Sequence, residues 1–343
     1  MGLSSFVKQR GNRRDPRLLA LFQSLETHAA RLRARDLATV LVACRRLAKP
    51  PVSLVAAVCA ACSARAQEFE SRYIANTLNA LSQMNCYDAA LVSRLSQAAL
   101  SKADDFNAQG IANTLNALAK FGHDDAAVVS RLSQAALSKA DDFSAQDIAN
   151  SLWTLLALSD SPDLACVTAL WARVPGEDTP LWSHEELGQL HLAQLCLAIE
   201  HPDWNLVLPA DLASATRRAW RASLSAAQSS RFHKRVSRCL TALGVGHENE
   251  VEAGRLSVDI VVRDASGVGG LVVEVDGPAH YCVPLPNPPQ QAKVLGQYVF
   301  KDRLLAKQGW RVLHVPFFEW DPLVDEAQRE SYLRTKLNSG ESQ

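Results

Sequence analysis

The 343-residue sequence lacks a net charge, a paired-cysteine pattern and a long apolar run. Lysine plus arginine and aspartate plus glutamate each total 36, which argues against a uniformly basic nucleic-acid coat. The eight cysteines are scattered, so we expect no disulfide framework and a reducing compartment. No apolar run reaches the roughly 18 residues of a membrane span, and no secretory signal is visible. The sequence therefore predicts an intracellular protein without a membrane partner.

Basic residues are concentrated in two zones. Residues 1–50 contain eleven lysines and arginines against three acids, and residues 212–247 contain seven and no acid. These zones predict localised contacts with anions, the alternative being two solvated helix faces. The first zone begins with a basic arm over residues 1–32, which is compatible with an organelle presequence. We therefore expect a mitochondrial or plastid location in a eukaryote, and the cytoplasm or a host cell for a bacterial protein.

A duplicated unit with a period of 37 residues occupies the middle of the chain. The phrase VSRLSQAALSKADDF stands at 92–106 and again at 129–143, and IANTLNAL stands at 74–81 and again at 111–118. Such a period is typical of stacked helical repeats. Stacked repeats form a solenoid whose concave surface usually binds another polymer.

Each unit is predicted to contain two helices. Ile74, Leu78 and Leu81 recur at helical spacing and give the first helix one apolar face. Weaker copies begin near Leu37, Ile148 and Leu187, which makes four or five units. We expect the solenoid to cover residues 33–210 and a basic connecting helix to cover residues 211–228.

Amide and aromatic side chains recur on another stripe of these first helices. The stripe consists of Asn76, Asn79, Asn113, Asn116, Lys120, Asn150 and Trp153. Such side chains can hydrogen-bond and stack on successive RNA bases. The alternative is that the asparagines cap or bridge neighbouring helices.

The C-terminal third changes to an α/β pattern. The predicted order is a basic helix at 231–243, strands at 256–262 and 271–275, a helix at 296–308 and a strand at 310–317. Strands alternating with helices favour a small α/β sheet. The proline-rich stretch 281–291 is expected to be an exposed loop, because proline continues neither element.

Three carboxylates are predicted to converge on this sheet. Asp259 lies on one strand, and Glu274 and Asp276 lie two residues apart on the next, so the latter two face the same way. Carboxylates gathered in this way can bind Mg²⁺ or Mn²⁺, which would position a phosphodiester and activate water. His280 could assist as an acid or base. The alternative is a simple turn after a surface strand.

Four motifs resemble the RAP domain, an RNA-binding domain also found in FAST-kinase-like mitochondrial RNA proteins. They are VDI at 258–260, VEVDGPAHY at 273–281, KDRLL at 301–305 and GWRV at 309–312. The resemblance covers residues 229–338 and implies a restriction-endonuclease-like fold. It implies metal-binding roles for Asp259, Glu274 and Asp276, with His280 in the same site. Many nuclease relatives have a lysine at the position of Asp276, a departure that concerns cleavage and not the fold.

The repeats resemble octotricopeptide-type repeats, which are found in organelle RNA-maturation factors and in some bacterial proteins. The predicted fold class is thus an α-helical repeat solenoid followed by a small α/β restriction-endonuclease-like domain. Further RNA contacts are expected from the basic side chains of the C-terminal region. These are Arg231, Lys234, Arg235, Lys301, Arg303 and Arg311.

This arrangement predicts a factor that binds single-stranded or structured RNA and acts in rRNA or mRNA processing or stability. The repeats would select the RNA, and the RAP domain would contact or cleave it. One alternative is a metal-dependent endoribonuclease that uses Mg²⁺ or Mn²⁺. Another is a protein-interaction scaffold or microbial effector.

Overall fold

A computed structural model describes residues 16–47, 50–159, 161–174, 182–225, 230–263, 270–284 and 293–339. The chain forms two compact units. The first comprises Met1–Pro175 and Cys282–Gly296, and the second comprises Gly176–Tyr281 and Gln297–Gln343. This division places the weak repeat copy near Leu187 in the second unit, whereas the sequence-based boundary stood at residue 210.

The first unit is an array of helix pairs packed in two layers. Its helices are α1 (Pro16–His28), α2 (Ala34–Cys44), α3 (Val52–Ala64), α4 (Ser71–Gln83), α5 (Ala89–Ser101), α6 (Ala108–Lys120), α7 (Ala126–Leu137), α8 (Ala145–Leu158) and α9 (Leu164–Trp171). Helices α2, α4, α6 and α8 pack side by side in one layer, and α3, α5, α7 and α9 pack in the other. The predicted helical repeat is therefore confirmed.

The repeat period follows from local sequence signals. Asp88 and Asp125, which lie 37 residues apart, cap α5 and α7 by accepting hydrogen bonds from Leu91 N and Val128 N at 2.9 and 3.2 Å. An N-terminal cap satisfies a backbone donor that the helix itself leaves unpaired. Ile74, Leu78 and Leu81 are fully buried, as their helical spacing predicts.

A lysine joins each duplicated unit to the one before it. Lys102 Nζ donates to the carbonyls of Gln67 and Phe69 at 2.7 and 2.8 Å. One repeat later, Lys139 Nζ donates to the carbonyls of Asp104 and Phe106 at 2.6 and 2.7 Å. The identical fifteen-residue phrases thus carry an identical contact between successive units.

The first unit also contains the segment that follows the VEVDGPAHY motif. Strand β1 (Cys86–Tyr87) pairs in parallel with β5 (Val283–Pro284), and Val283 N donates to Asn85 O at 2.7 Å. Lys293 Nζ donates to Gly122 O at 2.9 Å. An exposed loop was expected here, but Cys282 is buried because it lies beside this strand pairing. Residues 285–292 lie outside the described part of the chain.

The second unit contains a sheet with helices packed around it. Its helices are α10 (His184–Glu200), α11 (Ala210–Ser225), α12 (Arg231–Ala242), α13 (Gly296–Lys307), α14 (Phe317–Trp320) and α15 (Glu326–Ser339). Its strands are β2 (Glu248–Ala253), β3 (Leu256–Arg263), β4 (Gly270–Asp276) and β6 (Trp310–Pro316). Within the described residues the order is β2-β3-β4-β6, antiparallel except for the parallel pair β4 and β6. A parallel pair requires a crossover, which α13 supplies.

The core of the second unit lies between the sheet and helices α12 and α15. Val236 and Leu240 on α12 pack with Ile260 and Val273 of the sheet and with Trp320. All five are fully buried. The small α/β domain predicted from the alternation of strands and helices is confirmed. Strand β4, predicted over 271–275, begins at Gly270 and ends at Asp276.

Candidate functional site

The predicted carboxylates lie on two adjacent strands in the middle of the sheet. Ile260 on β3 pairs with Val273 on β4, so the next position of this antiparallel register sets Asp259 opposite Glu274. On the other side, Glu274 pairs with His314 of β6. Glu274 and Asp276 are both 3 % exposed. The structure therefore brings these residues together, and their chemical roles stay predictions.

Glu274 is held by an ammonium group. Lys301 Nζ on α13 donates to Glu274 Oε2 at 2.7 Å, and Asp259 N donates to Oε1 at 3.4 Å. Burial raises the pKa of Glu274, the Lys301 charge opposes that shift, and the Asp259 carboxylate adds to it. The net direction is upward. Glu274 is therefore the acid of this cluster that most readily retains a proton.

Asp276 is surrounded by hydrogen-bond donors. His280 Nδ1 lies 2.9 Å from its Oδ1, while His314 Nδ1 and Tyr281 OH lie 2.7 and 3.3 Å from its Oδ2. Burial alone would raise the pKa of Asp276, but the hydrogen bonds and charges of the two histidines bring it below its usual range. Asp276 is therefore an ionised, fully engaged carboxylate at neutral pH.

His314 bridges two carboxylates. Its second nitrogen, Nε2, lies 3.0 Å from Asp302 Oδ2 on α13. Burial would lower the pKa of His314, but the hydrogen bonds to Asp276 and Asp302 outweigh that effect and raise it to about 10. The imidazole is thus cationic at neutral pH, with both nitrogens committed to carboxylates.

Asp259 is held from two directions. Val275 N donates to its Oδ2 at 2.7 Å, and His233 Nδ1 of α12 lies 3.7 Å from its Oδ1. Burial opposes ionisation of Asp259, but these interactions and Lys301 bring its pKa below its usual range. The same contact raises the pKa of His233.

His280 is also held by an aromatic contact. Its ring stacks on that of Tyr298 at 4.1 Å between centroids.

The three carboxylates do not form an open cation site in this arrangement. Among the described residues, no group of three or more His, Cys, Asp and Glu side chains could hold a metal ion. The physical reason is that both oxygens of Asp276 accept hydrogen bonds from neighbouring side chains, while Lys301 binds Glu274. Asp259 and Glu274 alone would offer two carboxylates. The predicted Mg²⁺ or Mn²⁺ centre stays a prediction, and a cation could use Asp276 and Glu274 only if these side chains released their present partners.

The basic side chains predicted to contact RNA differ in accessibility. Lys301 pairs with Glu274, and Arg303 donates to Glu200 at 3.0 Å with both side chains largely buried. Arg311 is exposed on β6. These three side chains therefore range from largely buried to exposed.

On α12, two of the three predicted contacts face solvent. Arg231 and Lys234 are exposed, whereas Arg235 is half-buried and lies 4.0 Å from Asp321. Arg231, Lys234 and Arg311 therefore present more of their surface to a ligand than Lys301 or Arg303.

The predicted asparagine stripe divides into two half-buried residues that line a cavity and others that do not. Asn76 of α4 and Asn113 of α6 line a cavity of about 410 Å³ together with Arg72, Asn107 and Gln109. This cavity is called the α4–α6 groove below. The remaining members of the stripe do not line it.

The other stripe residues are half-buried or buried. Asn79 accepts a hydrogen bond from Gln83 Nε2 at 3.1 Å. Asn116 and Lys120 are half-buried, and Asn150 and Trp153 are only 8 % and 6 % exposed. Stacking of a base on Trp153 would require that side chain to become more exposed.

Sequence reasoning did not identify His314, Asp302, Tyr298 or His233 as members of the carboxylate cluster. One signal was present for His314, the polar residue between buried Leu313 and Val315 on the last strand. Strand alternation sets it on the face opposite to those two neighbours. The other three join the cluster through helices, whose packing the sequence pattern does not specify.

The fold and the site define an α-helical repeat protein with a C-terminal α/β domain. Residues 13–193, more than half of the chain, match the family model of the RNA-editing substrate-binding complex 6 protein, and the chain belongs to that family. Residues 273–336 match the RAP domain model, which confirms the RAP prediction. The octotricopeptide assignment stays a prediction.

A relative from rice, Oryza sativa subsp. japonica, is described as a chloroplastic RAP domain-containing protein. It is 30 % identical over 152 residues, which is 44 % of this chain. The match spans 22 % of that relative's length. In the described residues, the structure contains no helix with the length and apolar character of a membrane span.

Proposed function

We propose that this protein binds RNA through its helical repeats and acts in RNA processing or stability. The family of its N-terminal region is described as an RNA-editing substrate-binding complex protein, and its C-terminal region has a RAP domain. The observation that carries the proposal is the α4–α6 groove, which has amide side chains one repeat apart on its walls.

The chemistry of the groove suits single-stranded RNA. Asn76 and Asn113 offer amide donors and acceptors that can read the edges of unpaired bases. Arg72 and Gln109 are exposed at the same groove, and Arg72 can contact a phosphate. Its volume of about 410 Å³ lies within the range of small-molecule sites, roughly 300–1,000 Å³. The groove is thus large enough for a nucleoside.

The backbone of the groove is held in place by its own side chains. Asn107 Oδ1 accepts a hydrogen bond from Gly110 N at 2.8 Å, which caps α6. A β-carbon at Gly110 would lie only 3.0 Å from that same oxygen. The glycine therefore permits the capping contact, and the cap fixes the start of the helix that carries Asn113.

The test is binding of labelled single-stranded RNAs to the wild type and to Asn76→Ala and Asn113→Ala. Each hydrogen bond that is lost should weaken binding of the preferred RNA by about 0.5–1.5 kcal/mol. The preference of the protein for that RNA over other sequences should fall as well. Asn338→Ala, which removes an exposed amide from α15, is the matched control. Equal affinity and equal preference in all four proteins would remove the groove from the proposal.

A salt series separates RNA binding from a protein-scaffold role. Binding through several phosphates should weaken steeply as salt rises. Absence of RNA binding at low salt would favour the scaffold alternative.

Cleavage at the carboxylate cluster is a second candidate function. It is favoured by the approach of Asp259, Glu274 and Lys301 on adjacent elements. Incubation of end-labelled RNA with Mn²⁺ or EDTA, beside Glu274→Gln, tests it. Metal-dependent cleavage that the substitution abolishes would support a nuclease, and intact RNA in every lane would support binding alone.

We infer an organelle location from the chloroplastic description of the rice relative. A fluorescent fusion of the full chain, imaged beside a plastid or mitochondrial marker, tests this. Diffuse fluorescence throughout the cytoplasm would contradict it.

A further inference from the structure

An aromatic pair lies between two helices of the second unit. The rings of His191 on α10 and Trp220 on α11 stack with centroids 5.6 Å apart and planes 29° apart. Both side chains are half-buried. Each of the two residues therefore keeps part of its surface exposed to solvent.

Two arginines flank Trp220 on the same helix. Arg217 and Arg221 are four residues apart on α11, so they share a helix face, and both are exposed. Arg221 is 66 % exposed and lies 3.8 Å from Glu252 of β2. An ion pair this long and exposed is worth little in energy, so Arg221 can exchange it for another anion at small cost.

A third arginine approaches from the sheet. Gly254 and Arg255 form the two-residue turn between β2 and β3, with φ of 56° and 66°. Positive φ at both positions is typical of a tight type I′ hairpin turn. The exposed Arg255 side chain is therefore presented from a tight turn, three residues after Glu252.

The charges of all three arginines act on His191. Burial lowers the pKa of His191, and the positive charges of Arg217, Arg221 and Arg255 lower it further against the opposing charge of Glu252. His191 is thus a neutral ring at pH 7 within a positive field. Around His191, the charges of three guanidinium groups thus oppose that of the Glu252 carboxylate.

We propose that Arg217, Arg221 and Arg255, together with Trp220 and His191, bind the phosphodiester backbone of RNA. The planar guanidinium groups match phosphate oxygens in a bidentate manner. An accessible aromatic ring beside them gives a base or ribose a surface on which to stack. This inference rests on the proposed RNA binding, and it assigns a sequence-independent contact distinct from the α4–α6 groove.

The experiment measures the salt dependence of RNA affinity. Fluorescence anisotropy with several labelled single-stranded RNAs compares the full-length wild type with R217Q/R221Q across a KCl series. Each phosphate contact on a single strand contributes about 0.7 to the slope of log K against log salt. The double variant should therefore have a slope smaller by about 1.4, and its affinity should fall by the same factor for every RNA.

The matched control is K307Q/R334Q, which removes two exposed charges from other helices of the same unit. Its slope should equal that of the wild type, and circular dichroism should report the same fold for all three proteins. If R217Q/R221Q retains the wild-type slope while RNA still binds, the arginine cluster is overturned and the groove proposal stands. If the wild type binds no RNA but binds an acidic peptide, both are overturned.

Discussion

Lys301 Nζ on the crossover helix α13 lies 2.7 Å from Glu274 Oε2 on the central strand β4. The two side chains are only 20 % and 4 % exposed. A buried carboxylate at this position would be costly without a partner. The ion pair therefore balances the charge of Glu274 and holds the crossover helix against the sheet.

We predict that Lys301→Met destabilises the second unit. Removing one partner of a buried ion pair leaves an uncompensated charge and should cost roughly 3 kcal/mol in free energy of unfolding. Urea denaturation measures this cost. Lys301→Met combined with Glu274→Gln should recover part of the loss, because the unpaired carboxylate is also removed. If Lys301→Met lowers the free energy of unfolding by less than about 0.5 kcal/mol, the pair contributes no more than an exposed ion pair and the prediction is wrong.

The bridge formed by His314 predicts a dependence of stability on alkaline pH. The folded state raises the pKa of His314 from its ordinary 6.5 to about 10. Its contribution is therefore fully present below pH 6.5 and is lost as pH rises from 6.5 towards 10. After allowance for partial exposure, we expect about 2 kcal/mol from this group.

The measurement is the free energy of unfolding between pH 6 and 10 for the wild type and His314→Asn. The wild type should lose its advantage over the variant as the pH rises. A constant difference across this range would show that His314 does not change its protonation there. Nuclear magnetic resonance of the imidazole gives the pKa directly.

The duplicated phrases allow the same contact to be tested twice. Lys102→Met and Lys139→Met each remove an ammonium that donates to two carbonyls of the preceding unit. Each should lower the free energy of unfolding by about 1.5–3 kcal/mol, because the two environments are alike. Lys307→Met, on an exposed side chain, should be neutral. Thermal denaturation measures the stability of the three variants. Equal melting temperatures for all of them would contradict the prediction.

The close approach at Gly296 predicts a steric effect. A β-carbon at this position would collide with the carbonyl oxygen of Ala119 and approach Gly122 N. Gly296→Ala should therefore destabilise the first unit by roughly 1–3 kcal/mol. Gly188→Ala on α10 meets nothing within 4 Å, so it should be neutral or slightly stabilising. Equal melting temperatures for the two variants would count against the packing at Gly296.

Sequence alone determined the elements of this protein and the faces they present. The 37-residue period defined stacked helix pairs, since Ile74, Leu78 and Leu81 repeat at a spacing that only a helix places on one face. Strand alternation likewise set Glu274 and Asp276 on one side of β4. These predictions rest on local periodicity, which a single chain displays directly.

Only the tertiary structure decided which charged groups became partners. Lys301 and Arg303 are two residues apart, yet one binds Glu274 and the other binds Glu200, more than a hundred residues away. His314 joined Asp276 to Asp302. The reason is that periodicity orients a side chain within its own element, whereas its partner depends on which distant element packs against that face.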